Sequence, residues 1–376
     1  NWDGNSWLQS QKIIASNAAT DDEFGAAIDL KDDTLVVGAP GSVLDAQPDS
    51  GQVYIYSRTE SGFVETTRLE PNNPAVFPSY PYSNRFGDAL ALDQGTLVVG
   101  APASSGTSLE GEVLVYEEAE SSWSLLQKLT NNILNAEDLF GRAVSIADGR
   151  IAVGALYNTV GIDAGTVHVY LYDDGAGLWN PEQRLTASDT LGFEEFGFSL
   201  DIEGETIVAG APGARTAETQ AAQAGSSYVF QLDNGTWLQK QKRSYPEATT
   251  SPVEIEFGAA VALHQDTLVI GAPRASGLLE IGSATEHGIA LVTRIDSDPR
   301  IKLTPLDPGG RFGSAVAMSG DTIVVGAPYE DQTGCTECGA VYFYVRSGTA
   351  WDFHTRITGL DAGVVSTGIY ARFGNT

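Results

Sequence analysis

The chain has 376 residues, more than one compact core usually holds, so it is either two or three domains or one large architecture assembled from repeats. Forty-nine acidic residues against 21 Lys and Arg give a net charge of -28, which repels nucleic acid and anionic membrane surfaces and favours cations or basic partners. No run of about 18 apolar residues occurs, so nothing here is expected to span a bilayer. The opening NWDGNSWLQS has no signal-peptide pattern; in an exported protein the signal would have been removed or would lie outside this chain.

One unit recurs along the whole length. It opens with Phe-Gly, at Phe24-Gly25, Phe86-Gly87, Phe140-Gly141, Phe196-Gly197, Phe257-Gly258 and Phe312-Gly313, and a seventh pair, Phe373-Gly374, closes the chain. The first run after each pair, as in GAAIDL after Phe24, is rich in Gly and Ala. About a dozen residues on comes a second, wholly apolar run ending in Gly-Ala: TLVVGAP from Thr34 and Thr96, RIAVGAL from Arg150, TIVAGAP from Thr206, TLVIGAP from Thr267 and TIVVGAP from Thr322. A variable stretch leads to a third run, such as VYIY from Val53 or VYFY from Val341. The fourth run is the most polar and carries Lys12, Arg68, Lys128, Arg184, Lys240, Lys302 or Arg356 near its end. Each run is short, rich in Val, Ile and Tyr, and bounded by Gly, Asp and Asn, so each reads as a strand. Four strands repeated every 54 to 62 residues predict four-stranded antiparallel sheets that bury their faces on their neighbours. The second strand, apolar on both faces, is the sandwiched one, and basic charge on the fourth guards an exposed edge.

The Phe-Gly pair followed by Gly-Ala-Pro resembles the FG-GAP repeat of the integrin α-subunit head and of bacterial surface and secreted proteins. The resemblance covers essentially all of residues 1–376 and implies a single all-β β-propeller domain, with repeats beginning near 24, 86, 140, 196, 257 and 312 and a partial one near 373. The strand inventory holds seven first, six second, six third and seven fourth strands, with residues 1–13 as the outer strand of an incomplete blade. Seven blades are therefore expected, with six as the alternative. A longer parent protein, strands donated by a second chain, or six blades with flanking tails would each explain the mismatch.

First-to-second turns are tight, whereas second-to-third loops and interblade connections are long, which places binding residues on one face. The candidates there are Asp45, Asp49, Tyr80, Tyr82, Tyr157, Asp163, Glu280, Glu286, Tyr329 and Asp331. Acidic and aromatic groups together suit a basic protein patch, a sugar or a divalent cation. The integrin-type DxDxDG calcium loop is missing: the matching segments at Lys31 and Asp93 are too short and offer too few carboxylates for six to eight oxygens. No metal ligand or cofactor is assigned, and calcium is left to the acidic loops in another arrangement. Cys335 and Cys338 lie in a second-to-third loop; a local disulfide there implies an oxidising compartment.

The four histidines share no repeat position, and neither a nucleophile elbow nor HExxH occurs, so no catalytic residue is assigned. The expectation is a secreted or cell-surface adhesion module, not an enzyme, that takes a protein or glycan on its long-loop face and binds no nucleic acid. Two alternatives stand beside it. One is a structural subunit, a homo-oligomer or filament built by strand donation at the incomplete blade; the other is a hydrolase or lyase with an axial acidic site.

Overall fold

The computed structural model describes residues 9–44, 49–71, 84–102, 111–120, 122–130, 138–157, 164–189, 192, 194–215, 224–245, 255–275, 287–297, 300–307, 309–361 and 374. Their strands form six antiparallel four-stranded sheets, each paired in chain order. The first is β1 (Ile28–Lys31), β2 (Thr34–Ala39), β3 (Gln52–Thr59) and β4 (Gly62–Leu69). The second is β5 (Ala89–Asp93), β6 (Thr96–Ala101), β7 (Glu112–Ala119) and β8 (Ser122–Leu129), and the third β9 (Val144–Ala147), β10 (Arg150–Ala155), β11 (Thr166–Asp173) and β12 (Leu178–Leu185). The fourth is β13 (Leu200–Glu203), β14 (Thr206–Ala211), β15 (Ser226–Asp233) and β16 (Thr236–Ser244). The fifth is β17 (Ala260–His264), β18 (Thr267–Ala272), β19 (Ile289–Arg294) and β20 (Ile301–Leu303), and the sixth β21 (Ala315–Ser319), β22 (Thr322–Ala327), β23 (Ala340–Ser347) and β24 (Ala350–Thr358). The fold class is all-β, of the propeller type, with these sheets as blades. The chain divides into two compact units, Gln11–Gly204 and Asn1–Ser10 with Glu205–Thr376.

Packing within each unit explains the apolar second strands. Val36, Val53 and Ile55 of the first sheet meet Leu97, Val99 and Ala101 of the second, while Val98, Val113 and Val115 meet Ile151, Val153 and Ala155 of the third. Val208 and Val229 of the fourth sheet likewise meet Leu268, Ile270 and Ala272, and Val269, Ala290 and Val292 meet Ile323, Val325 and Ala327. Alternate residues of one strand thus serve the two neighbouring blades, each buried Val, Leu or Ile side chain contributing about 1.5–3 kcal/mol. A register shift recurs in the third-to-fourth strand pair, at Ile55/Tyr56, Val115/Tyr116, Val169/Tyr170, Val229/Phe230 and Phe343/Tyr344, bending the outer strand at one place in five sheets.

The two glycines of the repeat touch each other across blades. Gly197 has φ +93°, and its carbonyl oxygen faces Gly154 so closely that a Cβ there would stand 2.1 Å away; Gly141, which opens the repeat of Gly154, donates its N–H to Gly154 O at 3.0 Å. Phe196 is buried, and Gly165 forms an isolated parallel bridge with it, so the Phe-Gly dipeptide ties its own sheet to the preceding one.

The Phe of the pair meets an aromatic group on the third strand of its own sheet: Phe24 with Tyr54, Phe312 with Tyr342, and Phe140 with His168 at 5.4 Å between ring centroids. Burial, and secondarily Arg184, pushes the His168 pKa down to about 4, so the folded state resists the proton that the unfolded chain accepts near 6.5. This group's contribution to stability is full above about pH 6.5 and is lost as pH falls toward 4, by up to about 3 kcal/mol. Replacing it with Tyr, the residue at the matching positions 54, 228 and 342, is expected to flatten that part of the acid limb. Urea midpoints at pH 7 and pH 4.5 read the difference, and an unchanged acid limb contradicts the assignment.

The expectation of seven blades is corrected to six among the described residues. Residues 9–13 form no strand, residues 1–8 and Phe373 lie outside the description, and no described segment supplies a further second or third strand. Features of the repeat nevertheless extend past the six sheets. The Gln11 amide donates to Phe63 O and accepts from Phe63 N, both at 2.8 Å, as Gln127 of β8 clamps Trp179 at 2.9 and 2.8 Å. In the other unit, Gly374 lies against Gly326 as Gly313 lies against Gly271.

Candidate functional site

Both classes of long loop are rooted together. The residue before each Phe-Gly adopts a left-handed backbone, at Glu23, Arg85, Leu139, Glu195, Glu256 and Arg311, with φ between 47° and 57°. The residue two before the Phe is buried at Asp22, Asn84, Asp138 and Glu194. Its carbonyl accepts the N–H that enters the second-to-third loop of the same sheet, from Gly41 to Asp22, Tyr157 to Asp138, Arg274 to Ile255 and Tyr329 to Gly310. The described roots of the interblade connections and of the second-to-third loops are therefore hydrogen-bonded to each other. Non-glycine residues in this conformation are uncommon and mark positions held by their surroundings.

Within Gln11–Gly204 these turns carry a chain of charge. Arg85 bridges Glu23 and Asp88 at 2.8 Å each, Asp88 lies 3.9 Å from Arg142, and the Arg142 guanidinium stacks on Phe198 at 4.7 Å. Glu23 and Arg85 hold the same position in adjacent repeats.

The most completely built loop joins β22 to β23 in the sixth sheet. Its frame is shared with other repeats: Glu330 N donates to Ala327 O and Gly339 N to Glu330 O, matching the bonds around Ala214 and Ala275. Where those repeats have a small residue, this one has a carboxylate. Glu330 is fully buried; its Oε2 accepts from the Tyr342 hydroxyl and its Oε1 from Arg356 Nη1 at 2.8 Å, and Arg356 also bonds Asp307. Burial pushes the Glu330 carboxyl up from the ordinary Glu range, opposed by Tyr342 and Arg356, and burial with the Glu330 contact takes the Tyr342 phenol up to about 12. Arg356 thus departs from the edge-guarding role expected of the fourth-strand cations.

Above this pair the loop is cross-braced. Cys335 and Cys338 are disulfide-bonded, with Cα atoms 5.8 Å apart and both residues buried. Gln332 and Cys335 exchange backbone hydrogen bonds at 2.9 and 2.8 Å, the Gln332 amide donates to Gly339 O, and Asp331 Oδ1 accepts from Glu337 N at 2.8 Å. Asp331 is exposed, and Tyr329 is half-buried with the Arg311 guanidinium over its ring at 4.5 Å. The surface offers a phenol, a guanidinium and a carboxylate, with the exposed Thr333 just before the disulfide and the exposed Thr336 within it.

Of the ten candidates, Tyr329 and Asp331 are brought together. Asp49 accepts from Arg85 N at 2.9 Å and Tyr157 sits at the root of its loop, on different sheets of the Gln11–Gly204 unit. Asp45, Tyr80, Tyr82, Asp163, Glu280 and Glu286 lie outside the described residues. Arg311, Glu330 and Tyr342 were not singled out in the sequence, and Arg356 was read only as an edge-guarding cation of the fourth strand. Aligning the repeats shows Glu330 against Ser42, Ala214 and Ala275, and a carboxylate in a slot of small residues was the available signal. No group of three or more His, Cys, Asp or Glu that could hold a metal ion occurs among the described residues, and among them no helix is long and apolar enough to cross a membrane.

The family model of the FG-GAP repeat matches residues 7–56, 123–170, 179–230 and 300–344, a little over half of the chain. Among solved structures the chain is similar to the crystal structure of the Saccharomyces cerevisiae Sqt1, at 10% identity over 89% of this chain and 86% of that one, with a TM-score of 0.49. No curated protein matches the chain.

Proposed function

Because the chain belongs to the FG-GAP repeat family, we propose that it is an extracellular or cell-surface recognition module that takes a protein or glycan on its long-loop face. The observation that carries this reading is the sixth-sheet loop, whose half-buried Tyr329 and exposed Asp331 stand on a buried ion pair and a disulfide. A site held rigid before binding loses less conformational entropy when it engages a ligand. The disulfide supports an oxidising compartment, and the buried acid is committed to its partners, which favours binding over catalysis. Calcium is no part of this reading.

The test is a glycan and protein array probed with the intact chain, with and without calcium. A ligand that binds this face is expected to lose about ten- to a hundredfold in affinity in Tyr329→Ala and in Asp331→Ala. Ligands unaffected by both substitutions would move recognition off this loop.

A second reading, a structural subunit built by strand addition, is favoured by the ends of the repeat array. In β1, Ile28 and Leu30 are 51% and 50% exposed, and in the sixth sheet Val324, Val341 and Phe343 are only half-buried where Val36, Val53 and Ile55 of the first are buried. Sedimentation across a range of concentrations decides this: a monomer throughout sinks it.

A further inference from the structure

The fifth sheet is cut short at its outer edge. β20 has three residues, whereas the fourth strands of the other five sheets have eight or nine, and β19 has six where the other third strands have eight. It also lacks the aromatic residue that follows the outer hairpin elsewhere, at Phe63, Trp123, Trp179, Trp237 and Trp351. The shortened edge leaves a cleft of about 470 Å³ against the sixth sheet, inside one unit, lined by Thr267, Thr293, Arg294, Ser297, Arg346 and Trp351.

The cleft has a fixed frame. Arg243 is buried, and its Nη2 donates to Ile295 O at 2.9 Å and to Ser297 O at 3.3 Å, holding the described residues that follow β19. The Arg346 guanidinium lies over the Trp351 indole at 4.8 Å, donates to Thr267 Oγ1 at 3.1 Å, and has its Nε 3.2 Å from the Asp321 carboxylate. Arg294, paired with Asp266, stands at the rim.

We propose that this cleft is a binding site for a carboxylate-bearing saccharide, a uronate, separate from the loop face. Two guanidinium groups converge here in a chain of net charge -28. Stacking, the hydrogen bond to Thr267 and the ion pair with Asp321 hold the Arg346 plane, and a guanidinium edge matches a carboxylate with two parallel hydrogen bonds. The hydroxyls of Thr267, Thr293, Ser297 and Thr349 give the walls both donors and acceptors, as a polyhydroxylated ring requires. Val292 and Ile301 add apolar surface for its C–H face. The volume falls in the range of small-ligand sites, about 300–1,000 Å³, and is far below that of a folded partner.

Calorimetry with trigalacturonate, maltotriose and triglutamate tests this on the intact chain. Trigalacturonate is expected to bind saturably, and maltotriose at least about tenfold more weakly, for want of the charge-assisted pair. Arg346→Gln is expected to weaken trigalacturonate about ten- to a hundredfold. Thr349→Trp, at an exposed turn residue that leaves Arg346 and Trp351 untouched, is expected to abolish binding by filling the cleft. Equal binding of the neutral sugar, or trigalacturonate binding retained in both variants, overturns the site; tighter binding of triglutamate overturns the saccharide assignment. Because the Tyr329 and Asp331 substitutions leave the cleft intact, failure here and failure of the loop-face reading are distinguishable.

Discussion

Arg356→Met is expected to destabilise the protein by about 3–5 kcal/mol at neutral pH, since it leaves the Glu330 carboxylate buried without its cation. That is a large share of the roughly 5–15 kcal/mol that separates folded from unfolded protein. The sign of its pH dependence follows from burial. With Arg356 gone, the folded-state pKa of Glu330 rises further above the unfolded one, so the stability tied to the protonated form is present at low pH and lost as pH rises through the folded value. The variant therefore recovers part of its deficit on acidification. Adding Glu330→Met removes the buried charge as well and is expected to restore most of the loss, because a buried ion pair replaced by apolar groups of similar volume is often neutral. Urea denaturation of the two single variants and the double variant completes the cycle. A cost below about 1 kcal/mol for Arg356→Met, the scale of a surface pair, would show that the pair does not hold the loop.

The second large effect belongs to the glycine contact between blades. Gly154→Ala places a Cβ 2.1 Å from Gly197 O, against backbone that cannot step aside without separating two sheets, and is expected to cost about 3 kcal/mol. Gly149→Ala is the control: its φ is +72° and nothing lies within 4 Å of the new Cβ, so only backbone strain of about 1 kcal/mol is incurred. Thermal and urea midpoints separate the two, and equal losses would refute the steric reading of Gly-Ala in the repeat.

This contact explains why so much of the fold was legible. The Phe-Gly and Gly-Ala-Pro elements recur because each packs on the other from the neighbouring blade, so their spacing marks the sheets and the side on which the long loops emerge. The disulfide was legible too, since Cys335 and Cys338 sit three residues apart between two strong strand signals. The blade number was not, because Gln11 and Gly374 each reproduce a contact of the repeat, outer-strand and inner-strand respectively, with no further described strand to complete a sheet. The site was the least legible part. Glu330 and Arg356 are 26 residues apart and meet through strand pairing, and the left-handed residue before each Phe differs in kind from Glu23 to Arg85 to Leu139. Of the described residues chosen for loop position and chemical type, Tyr329 and Asp331 share one built loop, while Asp49 and Tyr157 lie on other sheets. The cleft beside Trp351 follows from a shortened strand, which a repeat alignment shows as a gap rather than as a motif.

Amide hydrogen exchange of the sixth-sheet loop tests the central claim most directly, that a loop braced in advance presents Tyr329 and Asp331. Cys335, Glu337 and Gly339, whose N–H groups bond Gln332 O, Asp331 Oδ1 and Glu330 O, are expected to exchange well below the open-chain rate in the wild-type protein and much faster in Arg356→Met. Open-chain exchange at all three in the wild type, or protection unchanged in the variant, would contradict the account.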